Sequence, residues 1–178
     1  MASMVDRLVL VNGLPGSGKT TLATQLAARL PAPLVSKDAL KELLADAFPA
    51  TPVSALGAIA ADTAWSLVAE TPGTVILDSW FYRPRDLPFV KAGLERCCAS
   101  MVVELWCDVP PSLARHRDEA RIRHAVHRTR PSSPDPWPDW STAGPLDIGL
   151  TFRIPTDSLV DIDALASGLK DITDNYDF

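Results

Sequence analysis

The chain has 178 residues, 47% of them hydrophobic and 22% charged, which supplies one sizeable apolar core and excludes global disorder. Lys and Arg number 17 against 22 Asp and Glu, and the formal charge of -5 excludes a protein that coats nucleic acid or anionic membrane non-specifically. Cys97 and Cys98 are adjacent and Cys107 leaves an odd count, so buried, reduced thiols are expected rather than a disulfide framework or a metal site. The first 13 residues lack a secretory-signal pattern, and the apolar stretches fall short of the roughly 20 residues that span a bilayer. A single cytoplasmic domain over residues 1–178 is the expectation, monomeric or homodimeric, with neither nucleic acid nor membrane as partner.

Residues 7–12, RLVLVN, predict a strand, followed by a glycine-rich turn and a helix over 20–30. After Pro31 and Pro33, residues 33–36 predict a short buried strand, and 38–48 a helix with Asp38 at its N-cap. A helix capped by Ser54 is expected over 54–70, stopped by Pro72-Gly73, and then an apolar strand, TVILD, ending in Asp78. Residues 85–99 are helix-like with Pro88 in the first turn, 101–108 (MVVELWCD) form the next strand, and 110–126 read as helix. Residues 130–145 hold five of the 16 prolines and no usable period, so they predict a loop or flap. A strand over 149–155 and a helix over 158–169 close the series. Strands alternating with helices predict an α/β fold with a parallel sheet covered on both faces.

The strongest motif is Gly13-Leu14-Pro15-Gly16-Ser17-Gly18-Lys19-Thr20, a full match to G-x-x-x-x-G-K-[ST] between a predicted strand and a predicted helix. Glycines let the backbone curl round a phosphate with its N–H groups turned inward, and the following helix adds the positive end of its dipole. Lys19 would reach the β- and γ-phosphates of ATP, Thr20 would ligate Mg²⁺, and Thr21 extends the nucleotide-binding set.

Two carboxylates follow strand ends, where open α/β sheets place their ligands. Asp38 in VSKD suits a base that takes the proton of an attacking hydroxyl, unless it only caps its helix. Asp78 in VILDS suits Mg²⁺ or acceptor placement, unless it is a turn residue.

Residues 115–130 hold six of the 12 arginines and all three histidines. Arg117 and Arg121, four apart, would share a helix face, as would Arg115 and Glu119, which makes this stretch a candidate lid or a solvated helix face. His116, His124 and His127 lack metal-site spacing and read as surface histidines. Trp137 and Trp140 in the flap could stack on an acceptor or simply pack the flap down, and Arg83 and Arg85 could touch the acceptor or be loop surface.

GLPGSGKTTLA, VSKD, VILDSWF, WCDVP and the Arg-rich stretch together resemble the small P-loop kinase group that includes gluconate and shikimate kinases, chloramphenicol phosphotransferase and the zeta-toxin kinases. The resemblance spans nearly the whole chain. It implies the P-loop NTPase fold, a five-stranded parallel sheet in order 2-3-1-4-5, and a lid and flap at about 111–145. It further implies ATP- and Mg²⁺-dependent transfer of the γ-phosphoryl group to a hydroxyl of a small molecule, a polar metabolite or an antibiotic. On this chain the implied base is Asp38, the phosphate lysine Lys19, the Mg²⁺-linked hydroxyl Thr20, and the lid arginines Arg117 and Arg121. A nucleoside or nucleotide kinase, and an ATPase switch that binds a protein partner through the flap, remain the alternatives.

Overall fold

In the computed structural model, which describes residues 5–127 and 134–174, the five apolar runs pair into one parallel sheet. β1 (Val5–Gly13) lies at its centre, flanked by β3 (Gly73–Asp78) and β4 (Met101–Asp108). β2 (Leu34–Ser36) pairs outside β3 and β5 (Leu150–Pro155) outside β4, so the order is 2-3-1-4-5, as the resemblance implies.

Side chains of a strand alternate between the two faces, and here both faces are covered. Leu8, Leu10, Val75 and Leu77 belong to one core with residues of α3 (Val53–Ala69) and α4 (Arg83–Cys97). Val9, Val11, Ile76 and Leu105 belong to the other, with residues of α1 (Lys19–Arg29) and α7 (Ile162–Asp174). Burial on both faces is why β1 and β4 are almost continuously apolar. Parallel pairing also brings every strand's C-terminal end to one edge, and residues 13–20, 36–38 and 78–82 meet there.

Several boundaries differ from the sequence expectation, each for a local reason. α2 (Lys37–Ala47) is capped by Ser36, whose hydroxyl accepts from the Ala39 N–H at 3.5 Å, so Asp38 lies in the first turn rather than at the cap. Pro52 takes the N-cap position of α3, and Ser54 is inside the helix. α4 starts at Arg83, which moves Pro88 beyond the first turn. α7 starts at Ile162 because the Asp161 carboxylate accepts from the Ala164 N–H at 2.9 Å, leaving 156–161 as loop.

The largest difference is in the expected 110–126 helix. α5 (Pro111–Ala120) stops at Arg121, whose ψ of 132° is extended, and the chain resumes only as a short 3-10 turn, Ala125–His127. The Arg123–Asp118 ion pair at 2.9 Å and burial of Val126 hold this bend. In the flap, α6 (Trp137–Trp140) is one helical turn, too short to show a period in the sequence. Cys97 and Cys107 are buried as expected, but Cys98 is exposed at the left-handed end of α4, with φ 48°. Among the described residues no helix is long and apolar enough to cross a membrane.

α4 can lie close to α3 because residue 93 has no side chain: a Cβ on Gly93 would come within 2.2 Å of the Trp65 indole. Gly168 on α7 has nothing within 4 Å of the same position. Gly93→Ala is expected to lower stability by about 1–3 kcal/mol through overpacking. Gly168→Ala should be neutral or raise it by up to about 1 kcal/mol through helix propensity. Urea denaturation midpoints of the two variants check this; equal shifts would refute the packing account.

Candidate active site

The edge formed by the strand C-termini opens with the turn after β1. Gly13, Gly16 and Gly18 have φ of 147°, 78° and 92°, a curl that β-carbons resist. At Gly16 space enforces the same choice, since a Cβ there would sit 2.1 Å from the Ala114 carbonyl oxygen of α5. The Leu14 carbonyl accepts from the Ser17 N–H at 3.0 Å and from Lys19 Nζ at 2.8 Å, which folds the lysine back over the loop. Ser17 Oγ is buried without a hydrogen-bond partner, and no side chain caps the N-terminus of α1 at Gly18. A cradle of curled backbone with a folded-back lysine and an uncapped helix start fits the phosphates of a nucleoside triphosphate.

Thr20 and Asp78 meet below the cradle. Thr20 Oγ1 donates to Asp78 Oδ2 at 2.8 Å, and Ser36 Oγ approaches the same oxygen at 3.3 Å. Burial pushes the Asp78 carboxyl above its usual range, although Lys19 and the Thr20 hydroxyl pull it down. Burial pushes the Lys19 ammonium below its usual range, against the opposite pull of Asp78, then Cys107 and Asp38. Lys19, Asp78 and Asp38 therefore share one electrostatic neighbourhood. The Cys107 thiol behind them is pushed up to about 12, mainly by burial. Among the described residues no group of three His, Cys, Asp or Glu side chains could hold a metal unaided. A hydroxyl beside one carboxylate is the donor set that Mg²⁺ accepts when phosphate oxygens complete its shell.

On the α1 side of the cradle a pocket of about 340 Å³ is lined by Gly18, Thr21, Gln25, Arg117, Thr156 and Leu159, among others. Arg117 donates to the Thr156 carbonyl at 3.0 Å, and Thr156 Oγ1 donates to the Ser17 carbonyl at 2.6 Å. The loop after β5 and α5 are thus tied to the cradle itself.

Two important residues were invisible to motif reading. Asn12 Oδ1 accepts from the N–H groups of Gly13 at 2.8 Å and Phe81 at 3.0 Å. Its Nδ2 donates to the Phe81 carbonyl at 3.3 Å and to Glu104 Oε1 at 3.0 Å. Glu104, fully buried in β4, also accepts from the N–H groups of Leu146 at 2.8 Å and Asp147 at 3.0 Å. The available signal was a lone carboxylate inside the apolar run MVVELWC.

Other expected site residues are placed differently. Arg121 lies beyond the end of α5 and is exposed, so it shares no helix face with Arg117. Arg115 does pair with Glu119 at 2.7 Å, and it also reaches Asp135 at 3.0 Å. Arg83 is exposed and bonded to Asp147 at 2.6 Å, while Arg85 pairs with Asp86. Trp137 is only 8% exposed and packs with Leu14 of the cradle, Val109 and Ala114; Trp140 sits on Trp137 and Trp80 at centroid distances of 5.6 and 6.0 Å. The flap tryptophans are packing residues rather than an open stacking platform. His124 and His127 are not free surface groups either, since they meet Asp46 and Glu42 of α2 at 3.0 Å each. Burial pushes the His127 imidazole below its usual range. Arg128 and Arg130 lie outside the described residues.

One protein family, described as an AAA domain, matches residues 8–133. A search of curated proteins finds no match. Among solved structures, a candidate kinase from Chloroflexus aurantiacus j-10-fl is 24% identical, with a TM-score of 0.74 over 96% of this chain and 98% of that one. A gluconokinase from Sinorhizobium meliloti 1021 is 16% identical, with a TM-score of 0.59 over 98% and 95%. Chaetomium thermophilum Kti12, solved with ADP-AlF3, is 22% identical, with a TM-score of 0.57 over 92% and 97%.

Two outcomes are expected from this geometry. Because ionised Asp78 is disfavoured by its burial, Asp78→Asn should raise the melting temperature of the ligand-free protein at neutral pH. A lower melting temperature would refute this electrostatic account. Glu104→Leu leaves buried donors of Asn12, Leu146 and Asp147 unpaired and should cost at least about 3 kcal/mol in urea denaturation.

Proposed function

From a chain that belongs to the AAA domain family and folds as a P-loop kinase, we propose an ATP-dependent phosphotransferase that acts on a hydroxyl of a small molecule. The observation that carries this reading is the convergence at one sheet edge of the phosphate cradle with Asp38 and Asp78, two carboxylates in the electrostatic neighbourhood of Lys19. A cradle with Thr20 and Asp78 alone would serve hydrolysis or switching equally well. Asp38 is the group that the other two leave unused.

When bound, MgATP supplies the γ-phosphoryl group, whose bond to the β-phosphate oxygen breaks as the acceptor oxygen bonds to phosphorus, with ADP leaving. Residues 13–20 hold its phosphates through backbone N–H groups, and Lys19 offsets their charge. Thr20 and Asp78 would supply oxygen ligands for Mg²⁺. Asp38, half-buried in the first turn of α2, takes the proton from the acceptor hydroxyl. Arg117, anchored on the Thr156 carbonyl beside Gly16 and Gly18, is the arginine of α5 best situated to meet phosphate charge; Arg121 has no such anchor. α5 and the flap, packed on Leu14 and Gly16, keep water from the cradle and so limit wasteful hydrolysis. The acceptor class includes polar metabolites and hydroxylated antibiotics. Burial of Trp137 removes one of the side chains on which the nucleoside-kinase and partner-binding alternatives drew, while Trp140 stays half-buried and Arg83 exposed.

A screen of alcohols for γ-phosphoryl transfer from labelled ATP tests the reading. Lys19→Ala and Asp38→Asn should each reduce transfer by at least about a hundredfold, which is the usual scale for losing a charge clamp or a general base. Asp38→Asn should leave the MgATP-induced thermal shift intact. Full transfer by that variant would overturn the assignment of the base.

A further inference from the structure

A groove of about 870 Å³ lies between α3 and α4. Its inner end is Lys37, immediately before Asp38, together with Trp80 and Phe81, which follow Asp78 by two and three residues. Through these neighbours the groove adjoins the segments that carry Asp38 and Asp78, where the proposed reaction would place the acceptor hydroxyl. Its volume lies in the upper part of the range of roughly 300–1,000 Å³ that drug-sized ligands occupy.

The lining is aromatic and small rather than polar. Trp65 and Phe81 form one surface, with ring centroids 6.4 Å apart, and the Trp65 indole lies against Gly93 of α4. Trp80 is held from behind by Tyr82, Trp106 and Trp140, at 5.9, 6.2 and 6.0 Å, so its place at the inner end is rigid. α3 presents Gly57, Ala58 and Ala61, leaving room for a flat body, and Phe89 of α4 is 71% exposed at the rim.

The charged groups lining the groove are largely spent on one another. Arg85 makes two 2.7 Å hydrogen bonds to Asp86, and Arg96 bonds Asp62 at 2.8 Å and Ser66 Oγ at 2.6 Å. A polyhydroxylated body entering here would lose water from its hydroxyls and find few free partners, whereas an apolar ring would gain from burial. Lys37 has no ion-pair partner among the described residues and is the exception, positioned at the reactive end.

We infer that the acceptor is an amphipathic alcohol: a molecule whose flat apolar body, aromatic or fused-ring, lies between α3 and α4 while its hydroxyl reaches Asp38 at the inner end. This rests on the phosphotransferase reading and narrows it, setting sugar-like polyols aside. The transfer is the one described above, with the acceptor's O–H proton passing to Asp38 and ADP leaving.

The matched pair 3-phenoxypropane-1,2-diol and glycerol tests the inference, since both offer a vicinal diol and only the first carries a ring. Binding is read by ligand-observed NMR and transfer by labelled ATP, in the wild-type chain and in Ala58→Trp and Ala61→Phe, which fill the groove from α3. Ala58 is exposed, so its variant carries little folding risk, and a retained MgATP-induced thermal shift confirms the fold of both. The aryl diol is expected to bind and to be phosphorylated at least tenfold more efficiently than glycerol, and both variants should lose at least tenfold of that preference. Equal transfer to glycerol, or a preference that survives both variants, overturns the inference while leaving the phosphotransferase reading standing. Aryl-diol binding that the variants remove, with no transfer to any alcohol tested, overturns the phosphotransferase reading and the acceptor assignment with it. Absence of both binding and transfer for the aryl diol overturns the inference as stated.

Discussion

One buried amide, that of Asn12, joins the parts on which the rest depends. Its oxygen orients the first N–H of the phosphate loop and the N–H of Phe81, while its nitrogen reaches Glu104 in the neighbouring strand. Glu104 in turn holds the backbone at Leu146 and Asp147, just before β5. A carboxylate with no exposure is tolerated only where its oxygens are met by donors, and here each oxygen has at least two within hydrogen-bonding distance. The consequence is that the cradle, the wall of the α3–α4 groove and the approach to β5 cannot move independently.

The second constraint is steric. α5 lies so close to the loop that residue 16 has no space for a β-carbon, and Trp137 and Leu14 seal the same contact from the flap side. α5 is therefore part of the cradle's wall, not a separate arm. Its further end is held differently, through His124 and His127 against carboxylates of α2 and through Lys41 donating to the Val126 carbonyl at 3.4 Å. Close backbone packing holds one end and polar side-chain contacts the other, with the extended Arg121 between them.

Electrostatics at the sheet edge follow from burial more than from net charge. Lys19 and Asp78 are each pushed toward neutrality by desolvation and each pulled back by the other, so the ligand-free site holds charge at a cost. That cost is the expected signature of a site shaped for a charged ligand. The overall charge of -5 carried no information about it, because the cradle is mostly uncharged backbone.

The sequence by itself determined the sheet, its parallel pairing and the phosphate loop. Apolar runs buried on both faces and a glycine pattern forced by backbone geometry are local properties, written in neighbouring residues. It also showed Asp38 and Asp78 at strand ends, because strand ends are visible as the limits of apolar runs. What only the tertiary structure decided were the contacts between distant segments. Ser36, not Asp38, caps α2, since capping depends on a turn geometry that a pattern of types does not specify. α5 stops at Ala120 because Asp118, Asp46 and Glu42 draw the following residues away from the helix axis. Trp137 and Trp140 look the same in sequence whether they stack on a ligand or on Leu14 and Trp80, and only packing distinguishes the two. Asn12 and Glu104, 92 positions apart, become one hydrogen-bonded unit only when β1 and β4 pair. The groove between α3 and α4 exists for the same reason: its walls are small residues whose meaning depends on what lies opposite them.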